Sequence, residues 1–310
     1  MKLQAECVLC PRKCMVDRSV LRGVCGQSEQ LRVARVSLHM WEEPCISGVH
    51  GSGTVFFSGC SLGCVYCQNY EISARNVGKN ITVEELSGHF LSLEEQGANN
   101  INLVTAAHFV PQVIQALERA VSQGLTIPVV YNSSGYESVD TLKMLEGYVS
   151  VYLPDFKYMD EALARRYSKA ADYPAVAQKA LSEMVRQCPD IVFQQEKGVD
   201  GESPIMTRGV IVRHLVLPGC VEDSKKVIRY LARTYGERIF VSIMNQYTPL
   251  PHVAEYPELK RKVTQEEYDE VVDYAIELGI ENGFIQEGDV AEESFIPAFS
   301  GNVSCDGNVE

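Results

Sequence analysis

The chain has 310 residues, of which 45% are hydrophobic and 22% are charged, and its 28 basic and 41 acidic side chains give a formal charge of −13. This composition is typical of a soluble globular protein with a large core, and the negative charge makes nucleic acid a poor partner. We find no apolar run of about 18 residues and no apolar stretch typical of a secretory signal at the start, so we expect a cytoplasmic protein with no membrane contact.

The first cysteines of the chain form a compact group, which we call the quartet: Cys7, Cys10, Cys14 and Cys25. Reducing compartments disfavour disulfides, so cysteines in a cytoplasmic protein favour metal binding or redox chemistry. Four thiols can close a metal site and order a segment that has little apolar mass. Zinc, slightly favoured by the C-x2-C spacing, a second iron–sulfur cluster and a metal-free loop all stay open. We predict that residues 1–52 form a cysteine-rich, metal-binding N-terminal extension.

From residue 53 onward, short apolar or β-branched segments alternate with helical patterns. Capping boxes at Thr82 and Thr264 and a proline at Pro111 mark helix starts. The predicted strands are 54–58, 101–105, 127–131, 149–153, 210–217, 239–244 and 284–286. Several are continuous apolar runs, which are typical of a parallel sheet covered on both faces.

Six strand–helix units and a last strand predict an α/β fold, a partial parallel (β/α)6 barrel over residues 53–290. A doubly wound open sheet is the alternative, because periodicity does not tell whether a parallel sheet curls. Residues 194–208 are rich in turn signals and predict a hairpin before the fifth strand. Residues 291–310 are predicted to form a C-terminal tail.

A second cysteine group follows the first predicted strand of the barrel. We call it the trio: Cys60, Cys64 and Cys67, spaced as C-x3-C-x2-C. A cubane iron–sulfur cluster normally takes four cysteines, so three close ligands suggest a cluster with one open iron. The alternative is a zinc ion completed by a nearby histidine, although common zinc knuckles have paired C-x2-C spacing.

The motif of the trio, C-x3-C-x-aromatic-C with Tyr66 as the aromatic residue, resembles the signature of the radical S-adenosylmethionine superfamily. This resemblance implies a 4Fe–4S cluster on the trio, S-adenosylmethionine on the open iron and an external electron donor such as flavodoxin or ferredoxin. Reductive cleavage of the sulfonium would release a 5′-deoxyadenosyl radical, which abstracts a hydrogen atom from the substrate.

Further segments at predicted strand ends resemble the glycyl-radical-enzyme activases of this superfamily. The D-x-K element at Asp155-Phe-Lys157 implies that Lys157 neutralises the cofactor carboxylate with help from Asp155; a turn ion pair is the alternative. The turn Asn132-Ser-Ser-Gly135 resembles their T-N-G turn and implies that Asn132 and Ser134 lie near the cofactor.

Two later segments extend this resemblance. Arg213-His-Leu-Val-Leu-Pro-Gly219 resembles the activases' R-x-V-x-x-P-G strand, which implies that Arg213 contacts a carboxylate or the ribose. A buried arginine requires an acidic partner, and strand alternation turns His214 to the opposite side. In Asn245-Gln246-Tyr247, Gln246 is a candidate contact of the ribose or adenine, with loop packing as the alternative.

One segment departs from the activase pattern. Activases carry a G-G-E-P turn after the second strand, where this chain has Thr105-Ala-Ala-His108. His108 is therefore either a substrate-facing residue or, as we favour, a packing or helix-capping residue. The segment 68–80 also lacks the extra cysteines that such activases often carry.

The resemblance over nearly the whole chain is to a subfamily labelled pyruvate formate-lyase activating enzyme-like, and it leaves the substrate open. The radical could be directed at a glycine of a protein, or at a peptide or small molecule. The alternative from another class is a non-catalytic iron–sulfur or zinc protein in electron transfer, which would not need Asp155, Lys157 and Arg213 at strand ends.

Overall fold

The computed structural model describes residues 6–199 and 204–286, so the predicted C-terminal tail lies outside the described residues. Among the described helices, none combines the length and the apolar character needed to cross a membrane.

A ten-stranded sheet organises the described part of the chain. Its order is β10-β9-β8-β6-β5-β4-β2-β1-β3, with β7 paired to β8 as a hairpin. The strands are β1 Arg32–His39, β2 Ser52–Phe57, β3 Lys79–Asn80, β4 Ile101–Val104, β5 Val129–Ser133, β6 Val151–Pro154, β7 Val192–Gln195, β8 Pro204–Leu215, β9 Phe240–Met244 and β10 Gly283–Ile285.

The strands from β2 to β10, apart from the short β3 and β7, pair in parallel and lie side by side in chain order. A doubly wound sheet reverses its strand order at a switch point, whereas a barrel keeps chain order. The predicted partial parallel barrel is therefore confirmed, and the doubly wound alternative is wrong. All seven predicted strands are present, and β8 begins earlier than predicted because its first half pairs with β7.

Helices connect successive parallel strands. The predicted capping boxes are present at Thr82 and Thr264, and Pro111 lies in the first turn of its helix. The helices are α1 Pro44–Ser47, α2 Tyr70–Ser73, α3 Val83–Glu95, α4 Val110–Ser122, α5 Val139–Met144, α6 Glu161–Ser168, α7 Tyr173–Gln187, α8 Val221–Tyr235 and α9 Gln265–Glu277.

The two faces of the sheet carry different cores. Alternate residues such as Tyr131 and Tyr152 join the large cluster shared with the helices, while their neighbours Val130 and Val151 join a smaller cluster on the other face. The smaller cluster includes Ile46 of α1, which is fully buried. Because side chains alternate along a strand, continuous apolar strands fill both faces at once.

One strand of the sheet lies inside the predicted N-terminal extension. β1 pairs antiparallel with β2 along most of its length, for example Val36 opposite Val55, so residues on both sides of the predicted boundary share a sheet. Sequence alternation did not reveal β1, because its register shifts between Val33 and Arg35 and the period of two is interrupted there. This strand leads directly into the loop that carries Glu42.

Candidate active site

A cavity of about 380 Å³ lies where the parallel strands reach their carboxyl ends. Enzymes of βα architecture place their chemistry at this end of the sheet, because the strand-to-helix loops converge there. The cavity wall contains the sequence-predicted residues of the trio and of the cofactor site: Cys60, Cys64, Cys67, Tyr66, Asn132, Ser134, Asp155, Lys157, Arg213 and Gln246.

The trio lies on the loop that follows β2. Each thiol of the trio has a hydrogen-bond donor close to it. The Leu62 amide donates to Cys60 Sγ at 3.4 Å, and the hydroxyl of Ser73 donates to Cys67 Sγ at 3.4 Å. The Ser168 hydroxyl, at the end of α6, donates to Cys64 Sγ at 3.0 Å. These donors would stabilise negative charge on the sulfurs.

The thiols of the trio match an iron–sulfur cluster in their chemistry. Burial, together with the neighbouring Cys64 and Cys60, raises the pKa of Cys67 to about 12. Burial also raises the pKa of Cys64, against the opposing effect of Lys157. Buried thiols of this kind become thiolates when a cation binds them, and the positive iron of a cluster would supply that charge. The donor set therefore fits a 4Fe–4S cluster.

Among the described residues, neither cysteine group forms a preformed single-ion site. Within residues 6–199 and 204–286, no three side chains of Cys, His, Asp or Glu converge closely enough to share one ion. A cubane cluster holds its thiolates farther apart than a single ion does, because iron and sulfide atoms lie between them.

A network of charged side chains forms another part of the cavity wall. Lys157 Nζ lies 2.6 Å from Asp155 Oδ2, and Arg213 Nε lies 3.0 Å from Asp155 Oδ1. Arg213 also contacts Glu42 Oε2 at 3.1 Å and donates to Asn132 Oδ1 at 2.7 Å. The acidic partner that we predicted for Arg213 is thus present, and there are two such partners, Asp155 and Glu42.

The network fixes opposite charges in a buried place. The side chains of Asp155 and Lys157 are 17% and 13% exposed. Burial works to raise the pKa of Asp155, but Lys157 and Arg213 outweigh it and hold that pKa below its ordinary value. Burial works to lower the pKa of Lys157, yet Asp155 and the trio raise it. Lys157 is therefore a permanent cation between Asp155 and the thiols.

Glu42 completes this network from the N-terminal side of the chain. Burial raises its pKa, while Arg213 and the amide of Asn102, which donates at 3.2 Å, oppose the rise. The adjacent Glu43 is also buried, which raises its pKa to about 7. Of these two carboxyl groups, which both lie between β1 and α1, that of Glu42 lines the cavity.

The remaining predicted residues are held by close packing. The hydroxyl of Tyr66 lies 2.6 Å from that of Tyr158, which lies 2.9 Å from Ser168 Oγ. Gly135 has a positive φ of 73°, and a Cβ there would collide with the Asp155 carbonyl. The turn that carries Ser134 therefore packs directly on the segment of Asp155, which is why both line one cavity.

Two histidines that we considered in the sequence analysis do not line the cavity. His108 is buried and its Nε2 lies 2.8 Å from the Ser58 carbonyl, so it packs in the interior as we favoured. His214 points to the opposite side from Arg213, as alternation predicts, and its Nδ1 lies 2.7 Å from the Phe156 carbonyl. Burial lowers the pKa of each to about 4, so both are neutral at pH 7.

Sequence reasoning missed several residues of the cavity wall. His39, Trp41 and Glu42 come from β1 and the loop after it, which no motif marks as part of the site. Thr105 was noted only as a departure, yet it lines the cavity with a φ of 59°, a strained conformation for a β-branched residue. Its position after a parallel strand was the available signal.

Comparison with protein families finds one match. The model of the Radical SAM superfamily matches residues 54–192. This segment contains β2 with the trio, the strands β4 to β6, Asn132, Asp155 and Lys157. This part of the chain is therefore similar to the Radical SAM superfamily, and the predicted pyruvate formate-lyase activating enzyme-like subfamily is a finer statement that this match does not reach.

Individual proteins also resemble the chain. An uncharacterized protein of Methanocaldococcus jannaschii is 28% identical over 278 residues, which are 87% of this chain and 74% of that protein. Streptococcus suis SuiB bound to S-adenosylmethionine is similar with a TM-score of 0.49 and 10% identity, over 83% of this chain and 51% of SuiB. The chain thus spans about half the length of SuiB.

A domain of pyruvate-formate lyase-activating enzyme from Bacteroides vulgatus is similar with a TM-score of 0.39 and 12% identity, over 57% of this chain and 91% of that domain. At these scores the solved structures carry no inference about activity.

Proposed function

We propose that this chain is a radical S-adenosylmethionine enzyme that cleaves S-adenosylmethionine reductively and directs the resulting radical at a substrate. The observation that carries this proposal is the convergence of three cysteines and one buried ion network on a single cavity. A cluster held by three thiolates leaves one iron for a small ligand. The same cavity is lined by Asp155, Lys157 and Arg213, which provide fixed charges for the charged groups of an amino acid ligand.

The trio would hold the 4Fe–4S cluster. When bound, the cluster supplies the electron that breaks the sulfonium C–S bond, and the radical chemistry belongs to it and to S-adenosylmethionine. Lys157, fixed by Asp155, would pair with the carboxylate of S-adenosylmethionine. Since Lys157 is a buried permanent cation, this pairing gains strength from the low dielectric of the cavity.

Other cavity residues would orient the nucleoside half of S-adenosylmethionine. Asn132, Ser134 and Gln246 place polar groups around the cavity, and Tyr66 places an aromatic ring in its wall. The Arg213 guanidinium donates to Asp155, Glu42 and Asn132. These contacts would hold this part of the cavity wall rigid. Residual donors of Arg213 would reach a carboxylate or the ribose.

The substrate class remains a choice between two targets. The D-x-K segment at Asp155 and the strand of Arg213 support a glycyl-radical-enzyme activase, with a glycine of a protein as the target. Thr105 in place of a glycine-rich turn distinguishes this cavity from that pattern and supports a peptide or small molecule. Both targets need an external electron donor such as flavodoxin or ferredoxin.

Anaerobic reconstitution with iron and sulfide tests the proposal. After reduction with dithionite in the presence of S-adenosylmethionine, we expect 5′-deoxyadenosine and methionine on chromatography. A reduced 4Fe–4S cluster whose spectrum does not change on adding S-adenosylmethionine, with no 5′-deoxyadenosine formed, would refute the proposal. That result would support the non-catalytic electron-transfer alternative.

We also propose that the quartet binds a metal. Cys10 and Cys25 are buried, and Cys14 Sγ and Cys25 Sγ both lie within 3.4 Å of the place that a Cβ on Gly23 would take. Burial raises the pKa of Cys10 to about 12, with the Cys25 and Cys7 thiols adding to it, which is typical of thiols gathered without a counter-charge. Metal analysis of the reconstituted protein decides between zinc and a second cluster.

A further inference from the structure

The quartet lies on a tightly turned segment that presents Arg12. The Lys13 amide donates to the Cys10 carbonyl at 3.0 Å, and the Met15 amide donates to the Cys7 carbonyl at 3.1 Å. Lys13 and Met15 adopt positive φ angles of 40° and 54°, which are uncommon for residues with a side chain. The turn between Cys10 and Cys14 therefore has one defined shape, and Arg12 projects from it.

The guanidinium of Arg12 binds two separate pieces of backbone. On one side it donates to the carbonyls of Ser61 at 2.8 Å and Leu62 at 3.1 Å, both within the loop of the trio. On the other side it donates to the carbonyls of Lys169 at 2.7 Å and Ser168 at 3.2 Å, where α6 ends. A planar guanidinium can serve several acceptors at once because its donors point in fixed directions.

Each of the two pieces of backbone joined by Arg12 carries a donor to a thiol of the trio, Leu62 to Cys60 and Ser168 to Cys64. Ser168 donates its hydroxyl to Cys64 Sγ at 3.0 Å, and the Val65 amide donates to the Tyr167 carbonyl at 2.8 Å. The end of α6 thus lies against the trio along several atoms. Arg12 donates to backbone carbonyls on both sides of this contact.

A second contact brings the quartet to the other end of the same loop. Gly59, which precedes the trio, has a φ of 85°, and a Cβ there would lie 2.5 Å from the Cys25 carbonyl. The backbone of Cys25 therefore packs directly on Gly59. The quartet touches the loop of the trio on both sides of Cys60.

We infer that Arg12 is a positioning residue for the cluster loop, through which the quartet sets the geometry and hydrogen bonding of the cluster held by the trio. This inference rests on the proposed function, since it concerns the cluster on Cys60, Cys64 and Cys67. Four carbonyl contacts on one cation join the loop of the trio to α6. Without them the Ser168 hydroxyl loses its fixed distance from Cys64, and the loop gains freedom to release iron.

Arg12→Ala and Arg12→Lys variants test the inference, with Lys13→Ala as the matched control because Lys13 is an exposed cation on the same turn. After anaerobic reconstitution, we measure iron release to a chelator, the electron paramagnetic resonance spectrum of the reduced cluster and its midpoint potential. For Arg12→Ala we expect iron release to be about tenfold faster, with a changed spectrum and potential. Arg12→Lys keeps the charge but fewer contacts, so we expect a partial effect, and Lys13→Ala should match the wild type.

Wild-type behaviour of Arg12→Ala in all three measurements would overturn the inference. A change in thermal unfolding alone, with spectrum and potential retained, would also overturn it, since that would assign Arg12 to general stability. If Arg12→Ala does not fold, the potential and spectrum of Arg12→Lys decide. Failure of the wild-type protein to form a cluster on the trio would refute the proposed function instead, so the two failures are distinguishable.

Discussion

The two cysteine groups of this protein both lie on loops, yet they lie in different surroundings. The trio faces the cavity and the cation Lys157, which works against the rise in the pKa of Cys64. The quartet lies outside the residues that line that cavity, and the acid Glu137 adds to the rise in the pKa of Cys10. The comparison indicates that the spacing of cysteines predicts which thiols lie close together. The charged groups and the cavity around them predict the chemistry that those thiols support.

The difference suits two roles. A reactive centre needs an open side and charges that receive a ligand, and the trio has both. A structural site needs closure and contact with the rest of the fold, and the quartet has the contacts of Arg12 and Cys25. Four changes test this contrast.

Cys64→Ser should have the largest effect, because it removes one of the three proposed cluster ligands that line the cavity. We expect loss of the cluster on the trio and of 5′-deoxyadenosine formation to background, measured by iron and sulfide content and by chromatography. Cys220→Ser is the control, since Cys220 belongs to neither group and does not line the cavity. Retained product formation in Cys64→Ser would contradict the role of the trio.

Lys157→Met should weaken the binding of S-adenosylmethionine while the cluster remains. A hydrogen bond to a charged group contributes about 1.5–3 kcal/mol, so we expect the dissociation constant to rise by roughly 10- to 100-fold. Titration of the cluster spectrum with S-adenosylmethionine measures it. Lys143→Met, at an exposed position on α5, should bind as the wild type does. An unchanged affinity in Lys157→Met would remove Lys157 from the proposed site.

Glu137→Gln should sharpen the contrast through its dependence on pH. Burial raises the pKa of Glu137 to about 8, and the Tyr131 hydroxyl donates to it at 3.3 Å. The folded protein then binds a proton that the unfolded chain releases near its ordinary pKa of 4.5, so the wild type loses stability as the pH rises from about 4.5 through 8.

The glutamine variant does not titrate, so its free energy of unfolding should match that of the wild type near pH 4.5 and exceed it by roughly 4 kcal/mol at pH 8.5. Thermal unfolding across this range measures the difference. Glu95→Gln, at an exposed site, should show no such trend. An equal difference at both pH values would show that ionisation of Glu137 is not the cause.

Ser168→Ala should have the smallest effect, on the reduction potential of the cluster. A donor to a ligating sulfur favours the reduced, more negative state, so its loss should lower the midpoint potential. A net hydrogen bond of about 0.5–1.5 kcal/mol corresponds to roughly 20–60 mV for one electron. Ser73→Ala should give a smaller shift, because its donor lies 3.4 Å from Cys67 Sγ. A rise in potential would contradict this account.

Much of the barrel could be predicted from the sequence, because parallel strands are apolar on both faces and their helices carry local start signals. Thr82 and Thr264 form their capping boxes with residues three positions away, so the signal is local. The candidate site could be predicted where a residue lies at the carboxyl end of a strand, as Asn132 does in β5, or directly after one, as Asp155 does after β6. Their gathering in one cavity follows from the parallel sheet, while their roles stay predictions.

The parts that escaped prediction depend on distant partners. Glu42 meets Arg213 across 171 residues of chain, and its own neighbourhood shows only a pair of acids in a loop. Arg12 contacts Ser168 across 156 residues, and in the sequence it is one of several basic residues near the quartet. The strand that delivers Glu42 was hidden by its bulge. Local patterns do not encode such contacts, because only the folded sheet brings them together.

The position of Glu42 has a consequence for anyone who shortens this chain. A version that starts at β2 would keep the seven described parallel strands, the three thiols of the trio and Lys157. A count of its strand–helix units would therefore give the complete barrel. It would nevertheless lack the carboxylate that accompanies the Arg213 guanidinium in the cavity wall. The smallest working unit of this protein therefore begins upstream of its repeating architecture.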